Sequence, residues 1–290
     1  MSDVAKTNKS VKHTANRRNA ISSFMINAIL IVFSVTCIYP VFWMFYSSFK
    51  TTREFNNNPV GLPAALHFDN YVQVVTKTLM PTYIKNSAVV TVISLFFILA
   101  FGFIAGYFLS RYKFRGRNML YAYYMVGMLI PIHALLVPIY ILTKNIGLIN
   151  TVSGLVLPYV SFGLPTAVFL IESYVRTVPK EIEEAANIDG SSFSRTLMQI
   201  ILPMCKPIMV TVAIIQFFTC WNEFSFALIL LSEQAKFTVP LGLTLFRGPY
   251  ATNYPMIMTA TVISITPVMI LYFSFSGNII KGMTAGAVKG

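Results

Sequence analysis

Five stretches of this chain, 19–49, 86–110, 118–143, 145–171 and 248–280, contain no Asp, Glu, Lys or Arg. Each exceeds the roughly 20 mostly apolar residues that a helix needs to cross a bilayer. A sixth stretch, 207–232, is interrupted only by Glu223. Inside hydrocarbon a segment must satisfy its own backbone N–H and C=O groups, so runs of this kind fold as helices. The expected fold is an all-α membrane protein with a six-helix bundle. Composition agrees, with 56% hydrophobic and only 11% charged residues, where soluble domains carry about 25% charged. Pro131, Pro138, Pro158 and Pro165 fall within the third and fourth runs and predict bent helices whose freed carbonyls are satisfied by neighbours.

The 22 Lys and Arg outnumber the 10 Asp and Glu, and their positions say why. With the N-terminus placed inside, 15 of the 22 fall in inner segments, the bias of cytoplasmic loops. Both termini are therefore expected in the cytoplasm, and the basic excess reads as a topology signal, with no nucleic acid as partner. The first apolar run is much longer than the core of a signal peptide, so it reads as a retained helix. Residues 50–85, between the first two spans, read as an irregular outer loop with one short surface helix near 71–76. Cys37, Cys205 and Cys220 show no paired spacing and are expected to be small buried hydrophobes. His13, His67 and His133 are scattered, which leaves no metal site, and His133 is expected to pack within its helix. No phosphate-cradling G-x-x-x-x-G-K-[ST] occurs, so any ATP chemistry must come from another chain.

The loop 176–207 is too regular for a simple connector. Thr177 or Val178 can cap a helix, Pro179 suits its first turn, and Glu181, Glu183 and Glu184 place negative charge where the helix dipole favours it. That helix is expected to end at Gly190. Ser191 or Ser192 then caps a second helix with an apolar stripe of Phe193, Leu197, Ile200 and Ile201. The pattern Glu184-Ala185-Ala186, Gly190, Ile200, Leu202-Pro203 resembles the EAA loop of bacterial binding-protein-dependent ABC importers, without departure in spacing. Asp189 before Gly190, the run Trp221-Asn222-Glu223-Phe224 and the C-terminal K-G-M-T-A-G-A-V-K-G are similar to those of carbohydrate uptake-1 permeases, in particular the maltose-transporter type of second permease subunit.

The resemblance implies an ABC importer type I transmembrane fold, divided as 1–82 (N-terminus, first helix, outer loop), 83–275 (transmembrane domain containing the EAA loop) and 276–290 (C-terminal tail). It implies a transport subunit of a bacterial inner membrane that performs no covalent chemistry and binds no cofactor itself. ATP and magnesium would sit on partner ABC ATPase subunits. The other implied partners are a second related permease, an extracytoplasmic solute-binding protein, the sugar and membrane lipid. Contact with the ATPase falls on Glu184, Ala185, Ala186, Asp189, Gly190, Ile200, Leu202 and Pro203. The two alanines allow close approach of a partner surface, and the glycine allows a sharp reversal. Other cargo, such as glycerol phosphate, a polyamine or a peptide, remains an alternative, as does an ion-coupled carrier, for which Glu223 is the one ionisable group well inside a span.

Two further expectations concern solute. Gln216, Thr219, Asn222, Glu223 and Phe226 recur at helical spacing and form a partly polar stripe on an apolar helix. They could line a sugar path, or bond a neighbouring kinked helix or sister subunit. The outer loop holding Tyr250, Ala251, Thr252 and Asn253 resembles the place where related permeases reach into the binding protein, with an ordinary connector as the alternative. Gly102 and Gly106 form a G-x-x-x-G step that favours close packing within the bundle.

Overall fold

The computed structural model describes residues 2–246 and 253–287, with side chains for 23–246 and 253–274. Among the described residues there is no strand. Among the described residues four continuous helices are long and apolar enough to span a membrane, and the number reaches six if each of two bent pairs is one span.

The first of two compact units comprises 1–70 with 254–262. Helix α1, Ser2–Ser47, includes the apolar stretch Ser23–Ser47, whose most apolar window has no buried residue. An apolar surface of this kind suits lipid or another subunit, and burial on α1 begins only at its end, with Tyr46 and Ser47. Cys37 on this helix is consequently exposed, against the expectation of burial, while Cys205 and Cys220 are buried. Helix α2, Thr52–Asn57, follows, started by the Thr51 hydroxyl, which accepts from the Glu54 N–H at 3.2 Å. The outer segment thus holds one more helix than the sequence predicted. Its centre is Lys50, fully buried. The Lys50 ammonium donates to the carbonyls of Asn58 at 2.9 Å and Pro59 at 3.2 Å, and lies 5.4 Å and 5.9 Å from the Tyr46 and Phe55 ring centres. Burial pushes its pKa down, and Glu54 opposes this in part.

Helix α3, Asp69–Lys77, leads into the second unit, 71–253 with 263–290. At its heart α4, Met80–Arg111, packs along α7, Val156–Val175. Glycines set how close they come. A Cβ at Gly102 would lie 2.9 Å from that of Ala167, and one at Gly106 would lie 2.9 Å from Ile171 Cγ2. The G-x-x-x-G step therefore serves packing within this chain. Between these helices in sequence lie α5, Arg117–Gly127, and α6, Leu136–Asn145. Pro131 stands at the break between them, where the two halves of the third span turn by 96°. Pro138 and Pro158 sit in the first turns of α6 and α7, where a missing N–H is harmless, so of the four prolines only Pro131 marks a sharp break. His133 lies exposed in the short turn after it, not packed as expected.

The remaining helices are α8, Glu181–Ile188; α9, Phe193–Thr196; α10, Leu202–Met204; α11, Lys206–Trp221; α12, Ser225–Leu230; α13, Val239–Leu243; and α14, Tyr254–Ala287. A wide π turn, Leu197–Ile201, joins α9 to α10. The 16 residues of α11 rise about 24 Å, short of a hydrocarbon core of about 30 Å. The chain covers the remainder through a break at 222–224 and the short α12.

Candidate functional site

The loop 176–207 does form two helices meeting at a glycine. The first is shorter than expected: α8 starts at Glu181, follows Lys180 with no side-chain cap, and ends at Ile188, with Asp189 as its C-cap. Gly190 has φ +76° with open space around it. Its N–H reaches the Asn187 carbonyl at 3.1 Å, and that of Ser191 reaches Ala186 at 2.9 Å. This pair of bonds is a Schellman closure, which needs a left-handed residue at its centre and therefore favours glycine.

The closure and the pitch of α8 divide its residues between two faces. Glu184, Ala185, Asp189 and Gly190 are exposed, together with Asn187 and Ile188, the last at 86%. Ala186 is buried. Only Ala185 is thus available to a close-fitting partner, while Ala186 lets α8 lie tightly on its own chain. In the second arm Thr196, Leu197 and Ile201 are buried, Ile200 and Leu202 are half-buried, and Pro203 is exposed. Phe193 is exposed, with its ring centre 6.1 Å from Tyr107 and 6.0 Å from Phe108.

Charge contacts beyond the sequence expectation hold α8 in place. Arg111 Nε lies 2.5 Å from Glu183 Oε1, with the side chains only 6% and 16% exposed. Tyr107 donates its hydroxyl to Glu183 Oε2 at 2.7 Å, and the Arg111 guanidinium donates to the Val178 carbonyl at 2.8 Å. Beside them, buried Glu172 accepts from Arg176 Nε at 2.6 Å and from Arg117 at 3.4 Å. Arg117 also donates to the Leu109 carbonyl at 2.6 Å. Glu172 and Arg176 stand four apart, a local pattern, but nothing local announces Glu183 with Arg111, which lie 72 positions apart.

The five residues of the polar stripe do not converge. Helix α11 stops at Trp221, so the stripe is interrupted. Gln216 and Phe226 are buried, Glu223 is half-buried, and Thr219 and Asn222 are exposed. The Thr219 hydroxyl donates to Ile215 at 3.0 Å and the Asn222 amide to Phe218 at 2.9 Å. Glu223 holds the break together: it accepts from the Tyr159 hydroxyl at 2.8 Å and from the N–H groups of Phe226 at 2.7 Å and Ala227 at 3.2 Å. A carboxylate here satisfies the orphan donors at the start of α12 and ties them to α7. Of the outer-loop candidates, Tyr250, Ala251 and Thr252 lie outside the described residues, and Asn253 directly precedes α14.

Residues 98–284 match the family described as binding-protein-dependent transport system inner membrane component. The chain is 40% identical to the ABC transporter permease protein ORF2 of Caldicellulosiruptor sp., over 90% of this chain and 95% of that one. It is 34% identical to the diacetylchitobiose uptake system permease protein NgcG of Streptomyces coelicolor, over 91% and 88% of the two chains. Its fold is similar to that of a bacterial ABC transporter involved in import of the acidic polysaccharide alginate, with a TM-score of 0.78 at 22% identity, covering 87% of this chain and 95% of that one. A family model matching well over half the chain, a relative at 40% identity along nine-tenths of it and the glycine-hinged loop agree, and the chain belongs to the family of inner-membrane components of binding-protein-dependent transport systems.

Proposed function

We propose that the protein is the membrane-spanning permease subunit of an ATP-driven oligosaccharide importer, with both termini in the cytoplasm of a bacterial cell. The observation that carries this reading is the tip of α8. An apolar side chain, Ile188, stands 86% exposed beside Glu184, Ala185, Asp189 and Gly190, all exposed as well. Acidic residues flanking an apolar knob suit a protein cleft and not an anionic lipid surface. An ABC ATPase subunit carrying ATP and magnesium is the partner that family membership favours for such a knob. The second arm, with Ile200, Leu202 and Pro203, sets the angle at which α8 is offered.

The pore is completed by a second related permease, and solute arrives from an extracytoplasmic binding protein at the outer loop of Tyr250, Ala251, Thr252 and Asn253. Nucleotide-driven closure of the motor moves the loop and exposes the cavity outward, and hydrolysis returns it inward. Thr219 on α11 and Asn222 just past its end, both exposed, offer hydroxyl and amide groups to a sugar, while Gln216, Glu223 and Phe226 line the rest of the path. Sugar as cargo is supported by the relative named for diacetylchitobiose uptake and by spans free of Lys and Arg, which a phosphate ester would need. The divisions 1–82, 83–275 and 276–290 describe this layout.

The test is reconstitution of the chain in liposomes with its sister permease, ATPase and binding protein. A panel containing diacetylchitobiose, maltose, glycerol phosphate and spermidine is then assayed for stimulation of ATP hydrolysis and for uptake. Stimulation and uptake with an oligosaccharide are expected; uptake of only the phosphate ester or the polyamine would overturn the sugar assignment.

A further inference from the structure

We infer that Glu183 and Arg111 lock α8 onto the inner end of α4, so that the two helices travel as one rigid body when a motor pulls on α8. This rests on the coupling role proposed above and adds which part of the bundle receives the motion. The Glu183 carboxylate is held on both oxygens. Arg111 Nε stands 2.5 Å from Oε1 as a charge contact without hydrogen-bond alignment, and Tyr107 donates to Oε2 at 2.7 Å. Both partners belong to α4, one turn apart, so the carboxylate is fixed against sliding along the helix as well as against lifting off. The same guanidinium also donates to the Val178 carbonyl at 2.8 Å, pinning the linker that enters α8.

A second clamp joins α4 to α7. Arg117 donates to Leu109 and reaches Glu172, which Arg176 also holds. The close approach at Gly106, where a Cβ would come within 3.1 Å of the Glu172 backbone nitrogen, leaves these helices no room to shift. On its other side α8 ends at Ile188 and turns at Gly190, whose φ is +76° and whose N–H closes on the Asn187 carbonyl at 3.1 Å. The charge-held route therefore runs from α8 into α4 and α7, whereas the connection through the glycine toward the second arm carries no ion pair among the described residues. Buried ion pairs are poor sources of net stability but costly to break singly, which suits a joint. Glu183, Arg111 and Tyr107 are positioning residues, since the exposed tip of α8 makes the outward contact.

The experiment places spin labels at Asn187 and Phe96, both exposed, in the complete complex, and compares distance distributions without nucleotide and with ATP and vanadate. In the wild type one narrow distribution, unchanged by nucleotide, is expected. Glu183→Gln should broaden it and lower uptake per ATP hydrolysed by about tenfold, the scale of one lost charge-assisted hydrogen bond. ATPase co-purification should persist. The exchanged pair Arg111→Glu with Glu183→Arg should narrow the distribution again. An unchanged distribution and normal uptake per ATP in Glu183→Gln would overturn the joint, as would loss of the ATPase from an otherwise intact permease pair, which would make Glu183 a docking residue. If the Glu183→Gln chain is not recovered from the membrane, Tyr107→Phe decides: a broadened distribution supports the joint and an unchanged one overturns it. A wild-type complex without ATP-driven uptake would instead sink the underlying reading of function.

Discussion

Glu223 and Asn222 are neighbours in sequence with separate duties. Glu223 accepts three hydrogen bonds across a helix break, whereas the exposed Asn222 side chain bonds back to Phe218 in the last turn of α11. Glu223→Gln turns one acceptor oxygen into a donor facing donors, so a loss of about 1–3 kcal/mol is expected. It should appear as a lowered melting temperature of the purified permease. Asn222→Ala should leave melting unchanged and alter transport alone, measured as uptake by reconstituted complex; equal melting losses in both variants would contradict this division. Lys50 makes a second case. Its pKa in the fold lies below the ordinary 10.5, so between those values the folded chain binds fewer protons than the unfolded one. Stability gains with pH across that window. Limited proteolysis of the outer segment should show protection rising toward pH 10.5 in the wild type relative to Lys50→Met.

At the scale of elements, α8 and its glycine closure are separable from the bundle. Proline at 190 cannot supply the N–H given to Asn187 nor adopt positive φ, so it destroys the closure. Trp at Ala185 leaves α8 intact but blocks close approach. Both Gly190→Pro and Ala185→Trp should reach the membrane at normal levels and lose at least about tenfold of ATP-driven uptake, consistent with losing 1.4 kcal/mol or more of productive contact. Normal sugar-stimulated ATP hydrolysis in either variant would count against the coupling role. Ala186→Trp should act differently: the residue is buried, and overpacking there costs about 1–3 kcal/mol of fold stability. The two alanines of one motif thus answer to different forces, a distinction that spacing alone does not reveal, because both lie in the same turn.

For the whole molecule, as a transport component and not an enzyme, the decisive property is which end of each span faces inward. The basic residues cluster at one set of ends, and single cysteines test that arrangement directly. In a background without Cys37, Cys205 and Cys220, Asn57→Cys should react with an impermeant thiol reagent added outside intact cells. Asn187→Cys should react only after the membrane is opened. Both positions are exposed, so access and not burial governs the result, and reversed labelling would overturn the orientation and the inner placement of α8.

Helical class, the presence of several spans and the two-arm loop follow from one-dimensional information. Uncharged length demands a helix in hydrocarbon, and a run of acidic residues closed by glycine marks a short helix wherever it lies. The family pattern is local too, since its residues fall within 20 positions of each other. What only the tertiary structure decided is which side of each helix is covered. It put Ala186 inward and Ile188 outward, opened the third span at Pro131 while leaving Pro138 and Pro158 harmless in first turns, and ended α11 at Trp221 so that Glu223 became a cap rather than part of a stripe. Above all it brought Glu183 to Arg111 and Tyr107. Helical periodicity specifies faces but not their partners, and an ion pair across 72 positions exists only once α4, α7 and α8 have packed, because the close approach that desolvates both charges is a property of the assembled bundle.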